Sequence, residues 1–379
     1  MRPWRSVPPG RFGNIMNGTV TNQRIVRPLS RMTLLCILLL LAPIAGNRAE
    51  PVMNQPTLRT IEANGVRLRI AEMGPEMSQA PLVILVHGWP ESWYSWRHQL
   101  PALAAAGFHA VAPDMRGYGK SDKPAAVEDY DINHVTGDLV GIADALGAKT
   151  AVLVGHDWGA IVTWNAMLLH PQRFTALVAM SVPYAGHGKQ SIVQALRQSM
   201  DDRFYYILYF QEPGVAEKEF DADARGILSR LYLSPDSPRE AAAVTDPKRS
   251  AGGWIPRLGA PKGLPSWLTQ ADLDYYVNEF SAAGFRGGIN YYRNFQRNWD
   301  ITPQLAGARI AAPVLFIAGE RDTVIRGATA EALTASMKPA VPGLREVKLI
   351  PSTGHWVQQE RPEEVNAAMI EFLQGVVGK

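Results

Sequence analysis

The chain is predicted to form an α/β domain: a mostly parallel, eight-stranded sheet covered by helices, with an all-helical cap inserted between two sheet strands. Three observations predict it. Short apolar runs recur, each closing on Gly, Asp or Pro; segments of helical period separate them; and the alternation stops between about Tyr184 and Asp300 before it resumes. An apolar content of 46% is enough for an extensive core.

The elements follow in order. From Thr57, TLRTIEANGVRLRIAE alternates apolar and polar residues around Asn64-Gly65, the pattern of two antiparallel strands joined by a tight hairpin. The runs LVILVHG, HAVAPD, AVLVGHD and ALVAMSVP supply four more strands, and PVLFIAGERD and VKLIPSTGH the last two. The intervening stretch is aromatic and helix-forming. One of its helices, TQADLDYYVNEFSAAG, opens on Thr269 with Asp272 at capping-box spacing. The expected division is a leader over 1–49, a first part of the core over 50–183, the cap over 184–300 and a second part of the core over 301–379.

The leader explains the charge. The chain carries a formal +3, from 38 basic and 35 acidic residues, but seven of the arginines and none of the acids precede Glu50. The body is therefore mildly acidic, with no basic stripe, and a nucleic-acid partner is not expected. From Thr33 to Gly46 the leader runs TLLCILLLLAPIAG, uncharged and preceded by arginines. This reads as the apolar region of a signal peptide; a membrane anchor is the competing reading, less favoured because the run is shorter than the roughly 20 apolar residues of a span. The protein is expected in the periplasm or secreted, without stable membrane insertion once the leader is cleaved. Cys36, the only cysteine, lies in that run, so a mature chain has neither disulfide nor thiol chemistry.

The chemistry centres on Gly155-His156-Asp157-Trp158-Gly159-Ala160, between the strand AVLV and the helix-like IVTWNAMLLHP. This is a strand-to-helix nucleophile turn with Asp in place of Ser. Its glycines leave room for a strained backbone, and the helix start favours an anion. An ester formed on Asp157 needs an activated water, hence a histidine and an acid to orient it. Asp322, in AGERDTVI, and His355, in PSTGHWVQQERPEEV, each follow a strand, and supply the order nucleophile, acid, histidine of the α/β-hydrolase fold. His87-Gly88-Trp89-Pro90, after LVILV, lies where that fold supplies an oxyanion-hole donor, so the backbone N–H groups of Trp89 and Trp158 are assigned to the hole. Pro90 would stiffen the loop through a cis bond.

HGWPESWYSWRHQLPAL, DMRGYGKSDKP, GHDWGA, YFQEPGVAE, GFRGGINYYRNFQRNW and GHWVQQERPEEVN together resemble the epoxide hydrolase branch of the α/β-hydrolase fold, close to the hydrolase domain of the soluble type. The likeness runs from about Thr60 to Leu373. It implies conversion of an epoxide and water to a vicinal diol through a covalent aspartyl ester, with no cofactor or metal and a small-molecule epoxide as partner. It also implies two lid tyrosines that donate to the epoxide oxygen; the matching positions are Tyr209 in YFQEPG and Tyr292 in NYYRN. Tyr205, Tyr206, Tyr275, Tyr276 and Tyr291 are then expected to be packing residues. A phenol suits the task, because it stays protonated at neutral pH yet can protonate an alkoxide.

His87, Trp89, Trp158, Phe210 and Trp299 are expected to line an apolar, aromatic substrate pocket. Two rival readings remain: haloalkane dehalogenation by the same aspartate, and a ligand-binding homologue without turnover. Monomer and dimer are both open.

Overall fold

The computed structural model describes residues 55–377 except 185, so the leader, its apolar run and Cys36 lie outside the described residues. The core opens with strands β1 (Thr57–Ala63), β2 (Val66–Met73) and β3 (Leu82–Val86), then alternates helix and strand: α1 (Gln99–Ala105), β4 (His109–Pro113), α2 (Ile132–Ala145), β5 (Ala151–His156), α3 (Trp158–Leu169) and β6 (Phe174–Met180). The cap follows with α4 (Ile192–Met200), α5 (Tyr206–Tyr209), α6 (Val215–Ala222), α7 (Ala224–Leu231), α8 (Gln270–Ala283), α9 (Arg286–Arg293) and α10 (Phe295–Ile301). The core closes with β7 (Val314–Gly319), α11 (Ala330–Met337), β8 (Leu344–Ile350), α12 (Val357–Glu360) and α13 (Pro362–Val376).

The eight strands lie in the order β1-β2-β4-β3-β5-β6-β7-β8, antiparallel as far as β4 and parallel beyond it. Asn64 and Gly65 make the expected hairpin turn, both with positive φ (49° and 77°), and pair Ala63 with Val66. The Asn64 amide then donates 3.1 Å to Asp138, which ties the hairpin to α2.

The parallel strands are apolar without interruption because both faces are covered. In β3 and β5, Val83, Leu85, Val152 and Val154 point to one side, where they pack with Leu100 and Leu103 of α1 and Val365, Met369 and Leu373 of α13. Ile84, Val86 and Leu153 point to the other, against Leu139 and Ile142 of α2, Val162 of α3 and the cap.

Between β6 and β7 the described residues form helices, 3-10 turns and two isolated bridges, Arg203 to Lys248 and Arg239 to Pro261, but no strand. Helix α8 starts with the predicted capping box, Asp272 N–H donating 3.1 Å to Thr269 Oγ1 and Thr269 N–H 2.9 Å to Asp272. From Tyr232 to Thr269 regular α-helix is absent. Buried polar contacts fasten cap to core: Arg69 of β2 bridges Asp114 and Glu279 of α8, Tyr94 donates 2.8 Å to Asp272, and Tyr291 of α9 donates 3.0 Å to the carbonyl of Arg116. No described helix is long and apolar enough to cross a membrane.

Candidate active site

Every predicted core residue of the site leaves the carboxyl end of a strand: His87 after β3, Asp157 after β5, Asp322 after β7 and His355 after β8. That end of a parallel sheet is where a crevice opens. Asp157 sits between β5 and α3 with φ 53° and ψ −117°, a conformation that costs a non-glycine residue about 1–3 kcal/mol. Its neighbours hold it there, through Asp157 N–H to the carbonyl of Met180 (3.3 Å) and Ile161 N–H to the carbonyl of Asp157 (3.2 Å). The flanking glycines are required by space, as the sequence implied. A Cβ on Gly159 would stand 1.9 Å from the Val86 carbonyl oxygen, and one on Gly155 would stand 2.4 Å from that of Gly159.

Around Asp157 the expected partners converge. His355 Nδ1 lies 2.9 Å from Asp322 Oδ2 and its Nε2 lies 3.5 Å from Asp157 Oδ2, so the imidazole spans the two carboxylates. Asp322 is buried and its other oxygen accepts from Val324 N–H at 2.9 Å. Burial opposes charge on both groups. In His355 the Asp322 carboxylate, and that of Asp157 with it, outweighs burial and raises the pKa well above the ordinary value. In Asp322 the imidazolium of His355 and the Val324 N–H more than offset burial and lower it. The Trp89 N–H donates 2.9 Å to Asp157 Oδ1, while Trp158 opens α3. Trp89-Pro90 is a cis peptide, as expected.

Sequence reasoning did not find the layer behind these groups. Glu91 is fully buried and its Oε2 accepts from Gly88 N–H at 2.7 Å and faces His156 Nδ1 at 2.9 Å, while Gln358 donates 3.0 Å to Oε1. His156 Nε2 lies 2.8 Å from the backbone carbonyl of His355. Burial by itself would raise the Glu91 carboxyl, but the charge and hydrogen bond of His156 bring it down to about 2. A carbonyl can only accept and an ionised carboxylate can only accept, so His156 donates from both ring nitrogens. The two residues join the donor loop, the nucleophile turn and the base loop.

Asp157, His355, Trp89 and Tyr292 line one cavity of about 480 Å³, together with Tyr206 and Trp254. Tyr209 does not. Its hydroxyl donates 2.9 Å to Glu219 Oε2, and the same carboxylate accepts from the N–H groups of Trp254 (2.8 Å) and Ile255 (3.0 Å). Tyr209 thus anchors the loop that carries Trp254, whose indole stacks on Tyr206 with ring centres 4.8 Å apart. The expectation that Tyr209 faces the nucleophile is corrected: Tyr206, expected to be packing, takes that place one turn earlier in α5. The rings of Tyr206 and Tyr292 lie 5.9 Å apart. Burial, and then the charge of Asp157, raises the pKa of both phenols, so both are protonated donors.

Four other expected lining residues are displaced. His87 is buried outside the cavity, its Nε2 accepting from Met115 N–H at 3.1 Å and its Nδ1 donating to the Gly88 carbonyl at 2.8 Å; it shapes the loop. Phe210 and the Trp158 indole pack behind the wall, each against Tyr292 with ring centres 4.9 and 5.0 Å away. Trp299 lies elsewhere, its indole donating 2.9 Å to the carbonyl of Gly188 in a second cleft. No group of three or more metal-ligating side chains occurs among the described residues.

Comparison with known proteins agrees with this geometry. The model of the alpha/beta hydrolase fold family matches residues 81–362. Epoxide hydrolase A of Mycobacterium tuberculosis is 49% identical over 325 residues, covering 86% of this chain and 99% of that protein. Bifunctional epoxide hydrolase 2 of Sus scrofa is 37% identical over 313 residues, 82% of this chain and 54% of that longer protein. Among solved structures, epoxide hydrolase A from Mycobacterium thermoresistibile superposes with a TM-score of 0.77 at 47% identity, over 85% of this chain and 99% of the other. A carboxylate on a strained strand-to-helix turn, a histidine bridging it to a second aspartate, and these relatives together place the chain in the α/β-hydrolase fold family, among its epoxide hydrolases.

Proposed function

We propose that the protein hydrolyses an epoxide to a vicinal diol through an ester on Asp157. The observation that carries the reading is the placement of two protonated phenols, Tyr206 and Tyr292, in the same cavity as the Asp157 carboxylate. An Asp157 oxygen attacks an epoxide carbon and forms the ester bond, while the carbon–oxygen bond of the ring breaks. The departing oxygen takes a proton from one phenol and a hydrogen bond from the other. Alkylation removes the negative charge beside His355 and so lowers its pKa; the imidazolium gives up a proton, which restores the phenol, and the neutral ring then takes a proton from water. Hydroxide adds to the ester carbonyl, the N–H groups of Trp89 and Trp158 hold the oxyanion, and collapse releases the diol and restores the carboxylate. The proton taken from water returns His355 to the imidazolium of the free protein, and the hydroxyl proton of the adduct passes to the departing diol oxygen.

Dehalogenation would use Asp157 and His355 in the same way but gives the paired phenols no task. A binding protein would have no use for a base bridged between two carboxylates. A single turnover in heavy-oxygen water tests the reading. The first diol should carry unlabelled oxygen from Asp157; label appearing there at once would rule out the ester.

The proposal extends to location. The arginine-flanked apolar run of the leader supports export to the periplasm or the medium after cleavage. N-terminal sequencing of protein recovered outside the cytoplasm should begin beyond Gly46, and an intact leader there would contradict it.

A further inference from the structure

The loop that carries His355 is held by a carboxylate that does not line the catalytic cavity. Glu360, at the end of α12, accepts from the N–H of Gly354 at 3.1 Å on Oε2 and from the N–H of Trp356 at 3.1 Å on Oε1. These residues flank His355, so one side chain fixes the backbone on both sides of the base. The core holds the carbonyl of His355 separately, through Ser181 Oγ at 3.0 Å and His156 Nε2 at 2.8 Å.

A third donor reaches Glu360 from the cap. Ser234 Oγ donates 3.1 Å to Oε2, and the Trp267 indole donates 2.9 Å to Ser234 Oγ. The same cap segment grips the base loop next to it, where the Trp356 indole donates 3.0 Å to the carbonyl of Leu231. A Cβ on Gly354 would stand 2.7 Å from Pro235 Cδ, so cap and base loop meet with no room for a side chain. All three donors to Glu360 are neutral, and its oxygens are taken up in holding geometry.

The two half-reactions ask different things of this loop. Alkylation uses the Asp157 carboxylate, oriented by the Trp89 N–H at 2.9 Å, and the phenols of the cap. Ester hydrolysis needs in addition an imidazole placed to take a proton from a water beside the ester, and a misplacement of about 1 Å costs such a step about 10²-fold. We propose that Glu360 is a positioning residue for ester hydrolysis, and that Ser234 makes the placement of His355 depend on a seated cap. This rests on the epoxide-hydrolysing reading and adds to it a control on the second step.

Single turnovers of the whole protein, in saturating excess over styrene oxide and followed by stopped-flow tryptophan fluorescence, give the alkylation and hydrolysis rates within one enzyme. At saturation neither rate depends on how much of the protein is folded. Glu360→Gln must turn its NH2 towards one of the two backbone N–H groups. It should slow hydrolysis about 10²-fold and leave alkylation within a few-fold of wild type, so that ester accumulates. Ser234→Ala should slow hydrolysis several-fold, and Ser234→Thr, which keeps the hydroxyl, should restore it. Ser234→Ala carries the same test if Glu360→Gln does not fold. Hydrolysis unmoved in folded Glu360→Gln, or both steps slowed alike, overturns the positioning role; hydrolysis unmoved in Ser234→Ala overturns the link to the cap. Neither adduct nor diol from wild type, with styrene oxide or an aliphatic epoxide, overturns the epoxide reading and this inference together.

Discussion

The imidazole of His156 and the carboxylate of Glu91 meet at 2.9 Å with both side chains wholly buried. Glu91→Gln leaves that imidazolium without its counter-charge, and should cost about 3–5 kcal/mol near neutral pH. The pH dependence has a definite sign. The folded-state pKa of Glu91, about 2, lies below its ordinary 4.5, so the stabilisation is full above the unfolded value and disappears as pH falls towards the folded one. Urea unfolding of wild type and variant should differ most near neutrality and converge in acid. A difference independent of pH would show that the pair is not ionic.

The two phenols can be separated from their neighbour. Tyr206→Phe and Tyr292→Phe should each lower the rate of alkylation by about 10²-fold, within the usual range for a proton donor. Tyr209→Phe should leave that rate within a few-fold of wild type and act instead on thermal stability, since it loosens Glu219 and the Trp254 loop. Stopped-flow tryptophan fluorescence would follow alkylation directly, and a Tyr209→Phe loss as large as that of Tyr206→Phe would reverse the assignment.

Removing the base should divide the reaction. In His355→Gln, Asp157 can still attack but the ester cannot be hydrolysed. The variant should release diol about 10²–10⁴-fold more slowly than wild type, and gain the mass of one epoxide. Recovery of unmodified protein after incubation would exclude this order of steps.

His355 should also titrate differently in the two halves of the cycle. Asp157 and Asp322 both raise its pKa in the free protein; the ester cancels one of those charges and so lowers it. The acid limb of kcat, which reports the ester, should therefore fall at lower pH than the His355 titration seen by NMR in the free protein. Coincidence of the two would mean that the Asp157 charge does not act on the imidazole.

Much of this site was legible because its residues are tied to strand ends. Asp157, Asp322 and His355 follow apolar runs that can only be buried strands, and the glycines beside Asp157 have a steric reason visible in the pattern. The Asn64-Gly65 hairpin and the Thr269 cap were readable for the same reason, since local chemistry decides them. The cap tyrosine was not. Tyr206 and Tyr209 share the single turn of α5, and the choice between them depends on Glu219, on another helix, capturing one hydroxyl. Trp254 lies in a stretch without period, where sequence spacing carries no information about direction. Trp254 did leave one signal, a large aromatic between Gly-Gly and Ile-Pro, outside any helical face. Glu91 was hidden by its charge, which composition would place on the surface.

The cap interrupts the chain between β6 and β7, and this sets the order in which the parts of the machine are made. The ribosome releases the attacking carboxylate and both phenols before either Asp322 or His355 exists. A nascent or truncated chain ending in the cap could at most be alkylated once, and no fragment stopping short of β8 can turn over. Closing the sheet must also wait for residues made on the far side of the insertion, so competence for catalysis arrives with the last strand.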